Sequence, residues 1–218
     1  MRKLLLTTLT LAVAGHLAFA QDSPIKFGVK AGVNLPTVSL TGDDVDSDEK
    51  DALKSSLSFY VGATADFSIS PIFSIQPGLT LSGKGYKMSD EFEGASFETT
   101  NNVMYLEIPV NAVARFAAGS GNVFVGAGPY YGFALSGKTK WEASFDGETE
   151  SDEEDVEFGN GDGETKRGDF GVNLLAGYEL SNGFNIHLGY GLGLGNLSNE
   201  TDVKVNNRVF SVGVGFSF

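Results

Sequence analysis

The residues able to do chemistry in this chain are few, and they are sharply segregated. Cysteine is absent, which removes thiol nucleophiles, disulfides and cysteine metal sites together. Outside the first twenty residues the one histidine is His187. A catalytic histidine needs a serine or a carboxylate beside it. Glu179 is its diagonal neighbour across the expected ladder, but no serine stands in a nucleophile-elbow pattern. A satisfied interior histidine is the plainer reading.

Carboxylates are the abundant reactive group. The chain holds 28 Asp and Glu against 15 Lys and Arg, a formal charge of −13. Nucleic-acid binding is excluded as a main role, because that needs a basic footprint. Of the 28 acids, 23 fall in residues 36–57, 84–102, 137–167 and 196–207 (six, four, eleven and two). The first of these segments carries Asp43, Asp44, Asp46, Asp48, Glu49 and Asp51. The spacing Asp44-x-Asp46-x-Asp48 echoes a calcium loop, but Glu49 replaces the sixth-position glycine and Ser55 the twelfth-position glutamate. The third segment runs from Trp141 through Glu148, Glu150, Asp152, Glu153, Glu154, Asp155 and Glu157 to Asp162 and Glu164. It reads as a solvated stretch kept mobile by self-repulsion. Its functional readings are capture of divalent cations, bridging to lipopolysaccharide phosphates, or docking of a basic partner protein.

The chain opens as an address rather than a structure. Arg2 and Lys3 precede an almost wholly apolar Leu4–Leu17, and Ala18-Phe19-Ala20 supplies the small-x-small pattern that a signal peptidase cuts after. The expected division is a signal peptide over 1–20, a short lead over 21–25 and one domain over 26–218. An uncleaved anchor is disfavoured, since the apolar run is shorter than the ~20 residues of a spanning helix. No later run is long enough for such a helix either.

What positions the remaining groups is a series of period-two segments. Phe210, Val212, Val214, Phe216 and Phe218 share one face, with Ser211, Gly213, Gly215 and Ser217 on the other. Phe184, Ile186, Leu188, Tyr190, Leu192 and Leu194 alternate with Asn185, His187 and three glycines. The same pattern recurs around residues 26–34, 59–68, 73–82, 105–116, 123–135 and 169–180. Each segment has roughly the ~9–11 residues of a tilted membrane strand. Glycine is frequent (29), as is phenylalanine (17), while charged residues make up 20%, below the roughly 25% of a soluble domain.

Turn chemistry sets a register. Ser181-Asn182-Gly183 makes Leu180 face Phe184, Gly119-Ser120 pairs Phe116 with Val123, and Ile69-Ser70-Pro71 pairs Phe67 with Phe73. Short turns alternate with the four long acidic connections. The pattern predicts an all-β, eight-stranded antiparallel up-and-down transmembrane barrel with both termini periplasmic. Ten strands would follow if residues 137–166 held an extra hairpin.

A soluble calyx with its apolar face inside is the rival architecture. The polar face, mostly Gly, Ser, Thr and Asn, suits a cramped lumen better than a water-exposed wall. Aromatics near the strand ends (Phe27, Phe59, Phe67, Phe73, Phe116, Phe184, Phe210) fit interfacial girdles. Lys30, Asp66, Glu107, Arg115 and Glu179 then point inward with His187. They read as a structural polar network, because buried charges are costly unless paired; a gated ion path is the sharper alternative. Phe216 and Phe218 read as a membrane-assembly signal for the barrel-insertion machinery.

The chain resembles the PorT-like outer-membrane β-barrel domain family. The likeness lies in Phe27-Gly28-Val29-Lys30-Ala31-Gly32-Val33-Asn34, in Ile75-Gln76-Pro77-Gly78-Leu79 with Ser82-Gly83-Lys84-Gly85, and in Tyr105-Leu106-Glu107-Ile108-Pro109-Val110. Gly126-Ala127-Gly128-Pro129-Tyr130 and Asn207-Arg208-Val209-Phe210 complete it. The resemblance implies a fold and a location in the outer membrane of a gram-negative bacterium, among lipids and lipopolysaccharide, rather than a reaction. The expectation is a non-enzymatic structural and interaction scaffold without a cofactor or bound metal. Membership of a secretion or gliding assembly is one alternative, and a lipid-A-modifying enzyme centred on His187 the other.

Overall fold

The computed structural model describes residues 25–42, 52–92, 95–145, 148–161 and 163–218. The expected signal peptide, the first-loop acids Asp43, Asp44, Asp46, Asp48, Glu49 and Asp51, and Asp162 lie outside them. The described residues form ten strands: β1 (Ile25–Thr41), β2 (Leu53–Lys54), β3 (Ser58–Ser68), β4 (Phe73–Phe92), β5 (Ala95–Ala118), β6 (Gly121–Phe145), β7 (Glu148–Asp155), β8 (Gly168–Leu180), β9 (Phe184–Gly193) and β10 (Lys204–Ser217).

Eight of them close a ring, in the order β1-β3-β4-β5-β6-β8-β9-β10 and back to β1, every pair antiparallel. The closing seam pairs Val29 with Phe216 and Leu35 with Phe210. Phe27 and Phe218 exchange both main-chain hydrogen bonds at its end. Closure leaves the ring without an edge strand, which is what hydrocarbon demands of backbone polar groups. β2 pairs with β4, and β7 with β6, outside the ring.

The two faces of the wall invert those of a soluble protein. Phe27, Val61, Leu79, Ile108, Val125, Phe170, Ile186 and Val214 are exposed on the outside. Asn34, Asp66, Ser74, Thr80, Ser82, Lys84, Glu107, Asn111 and Asp169 are buried within. Such an outer wall belongs in lipid, so the calyx reading falls. The lumen is tight where aromatics enter it. Tyr60 lies across Gly32 and Gly213, and a Cβ at Gly213 would collide with its Oη.

Two register expectations hold: Phe116 pairs with Val123, and the pairing of Glu179 with Asn185 sets Leu180 against Phe184 across a turn whose Gly183 has a φ of 88°. The third is corrected. Phe67 pairs with Ile75 rather than Phe73. Ser70 Oγ accepts hydrogen bonds from the Ile72 and Phe73 amides, widening the turn to Ile69–Ile72 without exchanging the faces.

The larger correction concerns the long connections. Residues 84–102 are not a loop, because β4 and β5 continue as an unbroken ladder from Lys84↔Val103 to Phe92↔Ala95. Nor is the first part of residues 137–167 a loop, although its described residues from Val156 onward belong to no strand. β6 runs to Phe145 and returns as β7, with Lys138 opposite Asp155. β1 and β10 likewise extend to Thr41 and back to Lys204. Beyond the apolar belt these strands keep their ladders through cross-strand polar pairs, which a search for lipid-facing alternation does not detect. The extra hairpin in 137–166 thus exists, but it stands beside the ring and leaves the wall at eight strands. The result is a ribbon, β2-β4-β5-β6-β7, rising past one rim.

Candidate functional site

The lumen is filled by layers of polar side chains, each delivered by the inward parity of its strand. Nearest the tight turns, Asp66 from β3 faces Arg115 from β5. Arg115 Nη2 lies 2.6 Å from Asp66 Oδ2, and Arg115 Nη1 donates to Ser74 Oγ at 2.6 Å. Ser74 Oγ and Gln76 Nε2 each donate to the same Asp66 oxygen at 3.1 Å. Glu179, at this end, accepts from Ser217 Oγ at 3.4 Å and joins no ion pair among the described residues.

The middle layer holds His187. Its Nε2 lies 2.6 Å from Tyr60 Oη and its Nδ1 2.9 Å from Asn185 Oδ1. Asn185 Oδ1 can only accept, so Nδ1 carries the proton and Tyr60 donates to Nε2. Both ring nitrogens are thereby used within the wall. Lys30 stands 5.9 Å from the centroid of the Tyr60 ring. Glu179 is the diagonal neighbour of His187 in the register, as expected, but no hydrogen bond or ion pair joins these two among the described residues.

The third layer was largely missed from sequence. Lys84 Nζ meets Glu107 Oε1 and lies 2.8 Å from Asp169 Oδ2. Tyr130 Oη donates to that oxygen at 3.2 Å and Asn207 Nδ2 at 2.9 Å. The ammonium sits 4.1 Å from the Tyr130 ring and 5.4 Å from the Tyr105 ring. Lys84 is 3% exposed and Asp169 fully buried. The parity of Ser74, Gln76, Gly78, Thr80 and Ser82 continues directly into Lys84, so its inward direction is legible from the strand pattern. Asp169 shares its polar face with Gly171 and Asn173 in the same way.

This cluster divides the lumen. A cavity of about 130 Å³ lies on its turn side, lined by Lys30, Tyr60, Thr80, Asn111 and His187. Another of about 190 Å³ lies beyond it, lined by Tyr86, Tyr105, Leu197 and Asn207. Above that, Val103, Tyr105 and Ala134 pack against Val156 and Phe158. Arg167 stacks on Phe158 at 4.8 Å and donates to the Ala134 carbonyl. Asn199 Nδ2 reaches the carbonyls of Gly159, Gly161 and Glu164, joining the two segments that roof this end.

The ribbon carries the rest of the charge. All eight residues of Glu148–Asp155 are exposed. Lys138 pairs with Glu153, Lys140 with Glu142 at 2.8 Å, and Lys87 with Glu98 at 2.5 Å. Hydrogen bonding to Glu153 raises the pKa of Lys138, and Lys140 lowers that of Glu142 by the same means. Among the described residues no group of three or more His, Asp or Glu is placed to hold a metal ion. Phe216 and Phe218 stack with ring centroids 6.4 Å apart on the closing strand.

Comparison with solved structures places several bacterial barrels at low similarity. Ail, the attachment invasion locus protein of Yersinia pestis, is 16% identical, with 88% of this chain and 98% of that one covered and a TM-score of 0.38. Neisserial surface protein A is 16% identical over 90% and 98%, with a TM-score of 0.44. The Escherichia coli outer membrane protease OmpT is 8% identical over 89% and 96%, with a TM-score of 0.32. Likenesses of this strength carry nothing about activity. No curated protein matches. The model of the outer membrane protein beta-barrel domain family, in contrast, matches residues 19–199. That span takes in most of the closed wall, and the chain belongs to the outer membrane protein beta-barrel domain family.

Proposed function

We propose that this barrel is a non-enzymatic structural and interaction scaffold whose working surface is the acidic ribbon. The reading rests on one contrast. The carboxylates of the lumen are bonded to neighbouring side chains, whereas five of the six acids on the fully exposed Glu148–Asp155 join no ion pair among the described residues. In this reading the tight turns and both termini face the periplasm, residues 1–20 are removed on export, and the ribbon stands outside the cell. There it meets divalent cations, lipopolysaccharide phosphates through them, or a basic protein. The motifs shared with PorT-like barrels support that subfamily. Phe216 and Phe218, on the closing strand, suit an insertion signal.

Neutralising Glu148, Glu150, Asp152, Glu153, Glu154 and Asp155 together, with the barrel still inserted, tests the proposal. Surface binding of calcium and of a basic probe protein should fall severalfold. Unchanged binding would make the ribbon a solubilising segment only. The lipid-A alternative finds little support, because His187 points into the lumen with both nitrogens bonded.

A further inference from the structure

The ribbon has two unlike faces and one open edge. On one face lie the ion pairs Lys87–Glu98, Lys138–Glu153 and Lys140–Glu142. The register puts Phe97, Trp141 and Phe145 on the other, 56%, 39% and 68% exposed. On that face β7 contributes Glu148, Glu150, Asp152 and Glu154, opposite Phe145, Ala143, Trp141 and Thr139. No cation stands across from these four acids among the described residues. Among the described residues β7 pairs only with β6.

The open edge is addressable residue by residue. The Val156 amide donates to the Gly137 carbonyl, which fixes the alternation of the hairpin ladder. Even-numbered residues of β7 bond to β6. Thr149, Ser151, Glu153 and Asp155 turn their main-chain groups away from it, and of these the Glu153 amide is held by Asp152 Oδ1 at 2.8 Å. An edge of this length invites another strand. A second copy is an unfit occupant, because edge-to-edge pairing would set carboxylates against carboxylates.

Resting on the reading of the ribbon as the working surface, we infer that β7 is a docking edge for an extended basic segment of a partner protein, which adds as a strand with Lys or Arg at alternate positions. The alternation is required because β7 presents acids at every second residue on its unpaired face. Main-chain hydrogen bonds supply affinity, and the four carboxylates select the partner.

The test uses the full chain folded in detergent micelles and an eight-residue peptide alternating lysine and valine. Trp141, the one tryptophan of the chain, reports binding by fluorescence. The alternating peptide should bind. Its affinity should fall at least tenfold against Ser151→Pro, which removes an outward N–H without touching the β6 ladder. Similar losses are expected for E150Q/D152N/E154Q, and for a peptide N-methylated at alternate amides. That last arm leaves the protein unaltered and decides the matter should Ser151→Pro unfold the hairpin. Equal binding of the N-methylated peptide, or of an isomer with its lysines in one block, would overturn strand addition while leaving an acidic interaction surface intact. If neither peptides nor calcium bind, the reading beneath it falls as well.

Discussion

Lys84 and Asp169 lie 85 residues apart in the chain and meet at 2.8 Å inside the barrel. Both are buried, and Glu107 completes the group. One ammonium thus serves two carboxylates in a space where neither could stand alone.

Replacing Lys84 by Met should therefore cost the barrel about 3–5 kcal/mol, the penalty for leaving buried charges unpaired. Urea unfolding in lipid vesicles measures it. The triple change K84M/E107Q/D169N should recover most of the loss. A single Lys84→Met barrel of undiminished stability would mean that the cluster does not hold the wall.

His187→Ala removes the acceptor of the Tyr60 hydroxyl. We expect a loss of about 1–3 kcal/mol for the orphaned group, and an unchanged lipid A profile in cells that carry the variant. Altered lipid A, with the barrel folded and inserted, would restore the enzymatic alternative.

Gly213 lies beneath Tyr60. Gly213→Ala drives a methyl into the tyrosine hydroxyl and should destabilise the wall by about 1–3 kcal/mol, as overpacking does. Tyr60→Leu in the same chain should return part of it. Additive losses would show that the two residues are independent.

Acid and alkali should each weaken an ion pair of the ribbon. Lys140 lowers the pKa of Glu142 from its ordinary 4.5, so the pair's contribution is present above that value. It fades as the pH drops through the lower, folded one. The raised pKa of Lys138 works in the opposite sense. Its contribution is full below 10.5 and is lost as the pH climbs through the folded value. Both pairs are exposed and should weaken in molar salt. Trp141 emission, followed against pH at low and high salt, reads this; a response independent of salt would count against the ion pairs.

The wall was legible because lipid writes a strict rule onto a strand. Phe210, Val212, Val214 and Phe216 announce a face by alternation alone, and turn lengths did the rest. The ribbon was not legible in that way. Thr99, Asn101, Lys138 and Lys140 lie in water, where either side of a strand tolerates polar residues, so their period carries little signal. The lumen was half legible. Parity gave Asp66, Glu107, Arg115 and His187 their direction, but partners depend on which strands face across the barrel. Arg115 finds Asp66 on β3, and Glu107 finds Lys84 on the adjoining strand, beyond the end of its lipid-facing alternation.

The seam between β1 and β10 has a consequence for assembly. β1 pairs with β3 on one side and, on the other, only with the last strand made. Until β10 arrives, β1 has bare main-chain donors and acceptors along one flank. The pairing that spans the longest stretch of chain is thus the one that removes the last open flank. Closure is therefore indivisible. Any lesion that delays β10 leaves an unfinished sheet with two sticky margins, and the toll of a faulty seam falls on insertion and aggregation rather than on one weakened contact.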